Sequence, residues 1–101
     1  MSAYIIVDVV VNDPVEYETY KRQTPLSVAK YGGRFVVRGG HAKCLEGDWQ
    51  PKRIVVVEFA SLQQAKKWWA SDEYAPVRAI RLRTASSRMI VVEGVDSSAT
   101  T

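Results

Sequence analysis

The chain is poor in the groups that carry most covalent and metal chemistry. It has one cysteine, Cys44, and one histidine, His41, in 101 residues. A single cysteine excludes an internal disulfide and fits a reducing, cytoplasmic compartment. One His and one Cys three positions apart supply too few soft ligands for zinc, and no loop spaces its carboxylates as a calcium site does. No metal is expected. Long apolar runs are also missing: nothing approaches the roughly 18 residues that a membrane span needs. The start, "MSAYIIVDVVV", has no basic segment and carries Asp8 inside its apolar run, unlike a secretory signal. Glycines are few, and Gly39-Gly40 do not lead from a strand into a helix. They are no phosphate cradle, and a bulge or sharp bend is expected there.

Charge is moderate. Fourteen Lys and Arg against eleven Asp and Glu leave +3. Arg78, Arg81, Arg83 and Arg88 concentrate late in the chain, where they could attract anions; they are expected to form a solvated helix face.

Four segments rich in β-branched residues read as strands: 3–11, 34–39, 53–59 and 88–94. A helical stretch separates the first two and another the last two. The order is β-α-β-β-α-β, the ferredoxin-like pattern, with a four-stranded antiparallel sheet and two helices on one face. Asp13 and Ser61 are the N-caps, with Pro14 at the first helical position and Glu16 and Gln64 placed to complete capping boxes. Tyr17, Tyr20, Thr24, Val28 and Tyr31 form one helix stripe. Pro25 inside it should kink or restart the helix. In the second helix a break near "SDEYAP" is expected, with Ser71 recapping and Val77, Ile80 and Thr84 resuming the buried stripe. Of the adjacent Trp68 and Trp69, only one can face the core squarely. Residues 1–95 form a single domain, and the polar tail 96–101 is expected to fray.

Alternation sorts the strand residues into two faces. Ile5, Val7, Val9, Val11, Phe35, Val37, Val55, Val57, Phe59, Ile90 and Val92 carry no charge and should lie under the helices. The second face holds Tyr4, Ile6, Val10, Val36, Ile54, Val56, Met89 and Val91, interrupted by Asp8, Arg38, Glu58 and Glu93. Two helices cover only one face. Each large apolar group on the other gains roughly 1.5–3 kcal/mol from full burial, so a second copy should cover it, sheet against sheet about a two-fold axis. Arg38 is expected roughly opposite Glu58, as an ion pair or as the polar anchor of an apolar ligand cavity. His41 is a candidate proton carrier; Cys44, on the opposite face of a straight strand, reads as inert. RNA binding by this fold needs stacking aromatics on the central strands, and "RIVVVEF" has none in its middle. No nucleic-acid partner is expected.

The motifs "YGGRFVVRGG", "LEGDWQPKRIVVVEFASLQQAKKWWASDEY" and "VVEG" resemble the family catalogued as domain of unknown function 1330, over residues 3–94. Trp69 stands where that family usually has Tyr, removing a hydroxyl, and Ala60 where it has Pro. The resemblance implies a dimeric α+β barrel of ferredoxin-like subunits. It implies no cofactor: the superfamily includes small monooxygenases that work without one, along with lactone isomerases, haem-degrading enzymes and ligand-binding transcription-factor domains.

These readings converge on a cytoplasmic homodimer paired through the second sheet face. It is expected to bind, and in the stronger form to transform, a small organic molecule. Arg38 would anchor an anion or carbonyl, Asp8 and Glu58 would orient it or act as base, and His41 would carry a proton. The alternative is a non-catalytic, ligand-sensing or structural dimer whose charges are interface pairs.

Overall fold

The structure is a computed structural model that describes residues 2–95; the tail expected to fray, 96–101, lies outside the described residues. The elements are β1 (Ala3–Val11), α1 (Pro14–Lys30), β2 (Arg34–Arg38), β3 (Arg53–Phe59), α2 (Leu62–Trp69), α3 (Ala75–Thr84) and β4 (Ala85–Glu93). The sheet is antiparallel in the order β2-β3-β1-β4, ferredoxin-like as the segment order predicts. The helices cover one face. Ile5, Val7 and Val9 of β1 and Val55, Val57 and Phe59 of β3 are buried there with Tyr17, Val28, Trp68 and Tyr74.

The caps form where the sequence places them. Asp13 Oδ1 accepts from the Glu16 N–H at 3.1 Å and Ser61 Oγ from the Gln64 N–H at 3.0 Å. Glu16, however, does not reach back to close a box: its carboxylate pairs with Arg83 at 2.5 Å. The break after Trp69 is also present, with Ser71 Oγ accepting from the Tyr74 N–H at 3.1 Å. Trp68 is buried and Trp69 is 44% exposed, dividing core from edge as adjacent helix positions must.

Three local expectations are corrected. First, α1 runs through Pro25 without interruption. Proline has no N–H, so the Lys21 carbonyl four residues earlier loses its helix partner. The Arg38 guanidinium donates to that carbonyl instead. Second, Arg38 does not lie opposite Glu58. A bulge sits between Phe35 and Val37, so Phe35 faces Val57, Val37 faces Val56 and Arg38 faces Val55. One extra residue inverts the alternation beyond it. Arg38 turns to the helix side, stacked over the Phe35 ring at 4.4 Å, and Val37 turns outward. The bulge is therefore at Val36, ahead of the expected glycine pair. Third, β4 pairs Val91 with Ile5 and Met89 with Val7, so Met89 and Val91 face the helices and Ile90 and Val92 face out. "MIVV" is apolar at every position and carries no parity signal of its own.

Candidate functional site

The helix side of the sheet holds a partly open cavity of about 30 Å³, room for a water molecule. Tyr17, Tyr20, Phe35 and Trp68 wall it, and Lys21, Arg38, Arg53 and Arg81 reach its lining. Ile5, Arg81 and Met89 also line a wider cleft of about 580 Å³ that opens beside β4 between Trp69, Leu82 and Ile90. That volume lies in the range of small-molecule pockets. Arg81 thus stands where this cavity meets the open cleft.

Each cation arrives by a distinct local cause. Arg81 lies four residues after Val77 and three before Thr84, on the buried stripe of α3, and is 5% exposed. Its Nε donates to Tyr74 Oη at 3.3 Å, and its Nη1 donates to Ser87 Oγ. Tyr74 and Tyr20 share a hydrogen bond of 2.8 Å between their hydroxyls. Arg53 shares the inward parity of Val55 and Val57 on β3, and its guanidinium lies 5.9 Å from the Tyr17 ring. Its Nε is buried and has no hydrogen-bond partner among the described residues. Gly39 makes room for it: a Cβ there would stand 2.1 Å from Arg53 Nη1, and the backbone at φ +73° favours glycine independently. Arg38 arrives through the bulge.

No carboxylate forms an ion pair with Arg38, Arg53 or Arg81 among the described residues. Glu18 is taken by Lys21 at 3.0 Å. A buried guanidinium without a counter-ion is an expensive arrangement. Burial works against the Arg81 charge, but the Tyr74 and Tyr20 hydroxyls outweigh it and its pKa is raised. Burial, reinforced by Tyr74, pushes the Tyr20 phenol far above its ordinary value. The phenol therefore keeps its proton at neutral pH and serves as a donor, not a base.

Asp8 and Glu58 lie on the other side of the sheet. Asp8 accepts from Trp49 Nε1 at 3.1 Å and from the Lys52 N–H at 3.2 Å, which ties the loop after β2 back to β1. It sits opposite Arg88 in the register. The Trp49 bond, above all, lowers its pKa. Glu58 sits opposite Arg34 and pairs with it at 2.7 Å, while Tyr4 Oη donates to it at 3.2 Å. The Arg34 bond is the main cause of its lowered pKa. With Tyr4 opposite Glu58, Asp8 lies four residues farther along β1, about 13 Å away. The two carboxylates are thus separate from each other and from Arg38. His41 is exposed in the loop, and Cys44 Sγ lies 3.0 Å from the Glu46 carbonyl it donates to. Neither lines the cavity or the cleft. The structure brings together none of Arg38, Asp8, Glu58 and His41. It gathers instead Arg53, Arg81, Tyr20 and Tyr74; of these the sequence alone points only to Arg81, as one of four arginines able to attract anions. Parity on β3 and stripe position on α3 were the signals that could have found the two arginines.

The model of the family described as "Domain of unknown function (DUF1330)" matches residues 2–95. Comparison with curated proteins gives no match. Among solved structures, a protein of unknown function from Rhodopseudomonas palustris is similar over 94% of this chain and 83% of its own, with TM-score 0.75 and 17% identity. SnoaB, a cofactor-independent oxygenase from Streptomyces nogalater, is similar over 98% of both chains, with TM-score 0.67 and 13% identity. A dimeric protein of unknown function and ferredoxin-like fold from Bacteroides fragilis covers 92% of this chain and 96% of its own, with TM-score 0.56 and 15% identity. At these identities the likeness is one of fold.

Proposed function

The chain belongs to the family described as Domain of unknown function (DUF1330), and we propose that it binds a small organic molecule on the helix side of its sheet, as a homodimer joined through the opposite face. The observation that carries this reading is the small cavity, aromatic in its walls, supplied with the buried donors Tyr20 and Arg81 and meeting an open cleft at Arg81. Mostly apolar walls with a few convergent polar groups are the usual makeup of a ligand site. Self-association is supported by the outer face, where Val10, Val37, Ile90 and Val92 are 37–60% exposed. It is supported too by the dimeric description of the Bacteroides fragilis protein. No helix among the described residues is long and apolar enough to cross a membrane, and the single free thiol of Cys44 supports a cytoplasmic setting.

The lining supplies cations and neutral donors but no carboxylate or imidazole. Such a set binds and polarises an oxygen; it does not remove a proton. The likeness in fold to SnoaB suggests an oxygenase-like step, and an isomerase-like one remains the other form of the proposal; either would act here on a substrate acidic enough to be held as its anion. Native mass spectrometry of freshly purified protein tests the reading. A dimer carrying a small adduct is expected. Single chains without adduct at micromolar concentration overturn it.

One observation favours a second reading, a ligand-free structural or sensing dimer. Arg38 already has structural work, satisfying the carbonyl that Pro25 orphans. On that reading the other arginines also serve packing, and the cleft stays empty in the cell.

A further inference from the structure

We infer that the molecule bound in the cavity and cleft is an organic anion, a carboxylate or a delocalised enolate or phenolate on an aromatic or aliphatic body, and that Arg81 is its anchor. The inference rests on the proposed binding function and narrows it to a substrate class.

Charge is distributed unevenly along the lining. Lys21, Arg38, Arg53 and Arg81 line the cavity, and Lys66 and Arg81 line the cleft, with no Asp or Glu in either. Elsewhere the molecule pairs its charges freely: Lys30 with Glu73, Arg34 with Glu58 and Arg83 with Glu16. The chain has carboxylates enough, yet places none in either lining; Glu18 stands beside the cavity, held by Lys21 at 3.0 Å. A cleft of one sign with low-dielectric walls concentrates the opposite charge.

Arg81 is the best placed of these cations. A guanidinium has five N–H donors in a rigid fork. Two of them go to Tyr74 and Ser87, both neutral. The Tyr20 hydroxyl, also neutral, engages a third, and no carboxylate pairs with the remainder among the described residues. Two parallel N–H groups match the two oxygens of a carboxylate. The Tyr74 and Tyr20 hydroxyls behind it hold its orientation. Arg53, buried at Nε without a partner among the described residues, supplies a second positive centre in the cavity lining. Trp69, Leu82 and Ile90 at the cleft suit an apolar body.

The test compares 1-naphthoate with 1-naphthamide, nearly equal in shape and different in charge, by calorimetric titration of the purified wild-type dimer. We expect the carboxylate to bind at least tenfold more tightly. Arg81→Met should erase the preference, and Arg81→Lys should retain part of it. Because the readout is a ratio of two probes in one protein, a general collapse of the pocket, which weakens both, is separated from loss of an anion anchor. Equal binding of both probes by the wild type overturns the inference and leaves the small-molecule reading standing. A preference that survives Arg81→Met overturns the anchor. If neither probe binds, the inference fails, and the binding function then stands or falls on the adduct in the native mass spectrum.

Discussion

The two faces of this sheet treat charge in opposite ways. On the outer face every guanidinium has a carboxylate opposite it: Arg34 faces Glu58 across β2 and β3, and Arg88 faces Asp8 across β4 and β1. Neutral in sum and surrounded by Ile6, Ile54, Val56 and Ile90, that surface suits contact with a copy of itself. On the inner face three arginines approach one cavity, none with a carboxylate ion-paired to it among the described residues, and Glu18 beside it is held by Lys21. Matched charges need nothing further, whereas unmatched ones define what is missing. The proposed assembly uses the first face and the proposed recognition the second.

The largest expected effect comes from unbalancing the outer face. Ile6 lies at its centre, between Val56 and Ile90. Ile6→Asp puts an unpaired carboxylate into the proposed dimer interface at several kcal/mol per ion. A loss of about 4 kcal/mol weakens association roughly 1000-fold. Sedimentation at micromolar concentration should then find single chains. A dimer that persists would show that another surface joins the subunits.

The inner face should respond in the opposite direction. If Arg81 is held for a ligand, its burial is a burden on the empty protein. Arg81→Met, with similar reach and no charge, is expected to leave unfolding by urea unchanged or to stabilise it by about 1–2 kcal/mol. Tyr74 keeps its partner Tyr20 in that variant. A loss of about 2 kcal/mol or more would mark Arg81 as a structural group and sharpen the case for the ligand-free reading.

Arg38 belongs to neither extreme, since it lines the cavity and also serves a backbone carbonyl. A double-mutant cycle with Pro25 separates the two roles. Arg38→Ala alone removes the donor from the Lys21 carbonyl, which is exposed enough for water to replace it in part, and should cost about 0.5–1.5 kcal/mol in a protein that still folds. Pro25→Ala restores an N–H at the right place in α1, so the same change in that background should cost less. Additive effects in urea titrations would show that the carbonyl is not what holds Arg38.

The fold was legible in the sequence because its signals were redundant. Asp13, Ser61 and Ser71 mark helix starts, and strands 3–11 and 53–59 keep their parity throughout. The site was less legible, for physical reasons that differ from residue to residue. A single extra residue at Val36 moved Arg38 across the sheet, and no residue type there announces a bulge. Met89 through Val92 are apolar on both faces, so only pairing with β1 fixes which of them looks inward. A charge on a helix usually faces water, so the sequence groups Arg81 with its solvated neighbours. Its place on the stripe of Val77 and Thr84 outweighs that expectation.

The smallest expected effect is the response to acid, and it again divides the faces. Asp8 and Glu58 have folded-state pKa values below their ordinary 3.8 and 4.5, through Trp49 and Arg34 respectively. A carboxylate with a depressed folded pKa stabilises the native state above its unfolded pKa and loses that contribution as pH falls through the folded value. Both groups are half-buried and still reach solvent, which keeps the effect modest. Stability and dimer population should therefore be flat down to about pH 5 and decline below about 4. Asp8→Asn and Glu58→Gln together should flatten that decline, though Glu73, paired with Lys30 and Tyr31 and held at about 2, contributes its own part still lower. The inner arginines do not titrate in this range. If the inner site holds an organic carboxylate, its affinity should follow the acid's own pKa and be untouched by the two outer-face substitutions. A binding curve that shifts with Asp8→Asn or Glu58→Gln would show that the two faces are coupled and that the division between them is wrong.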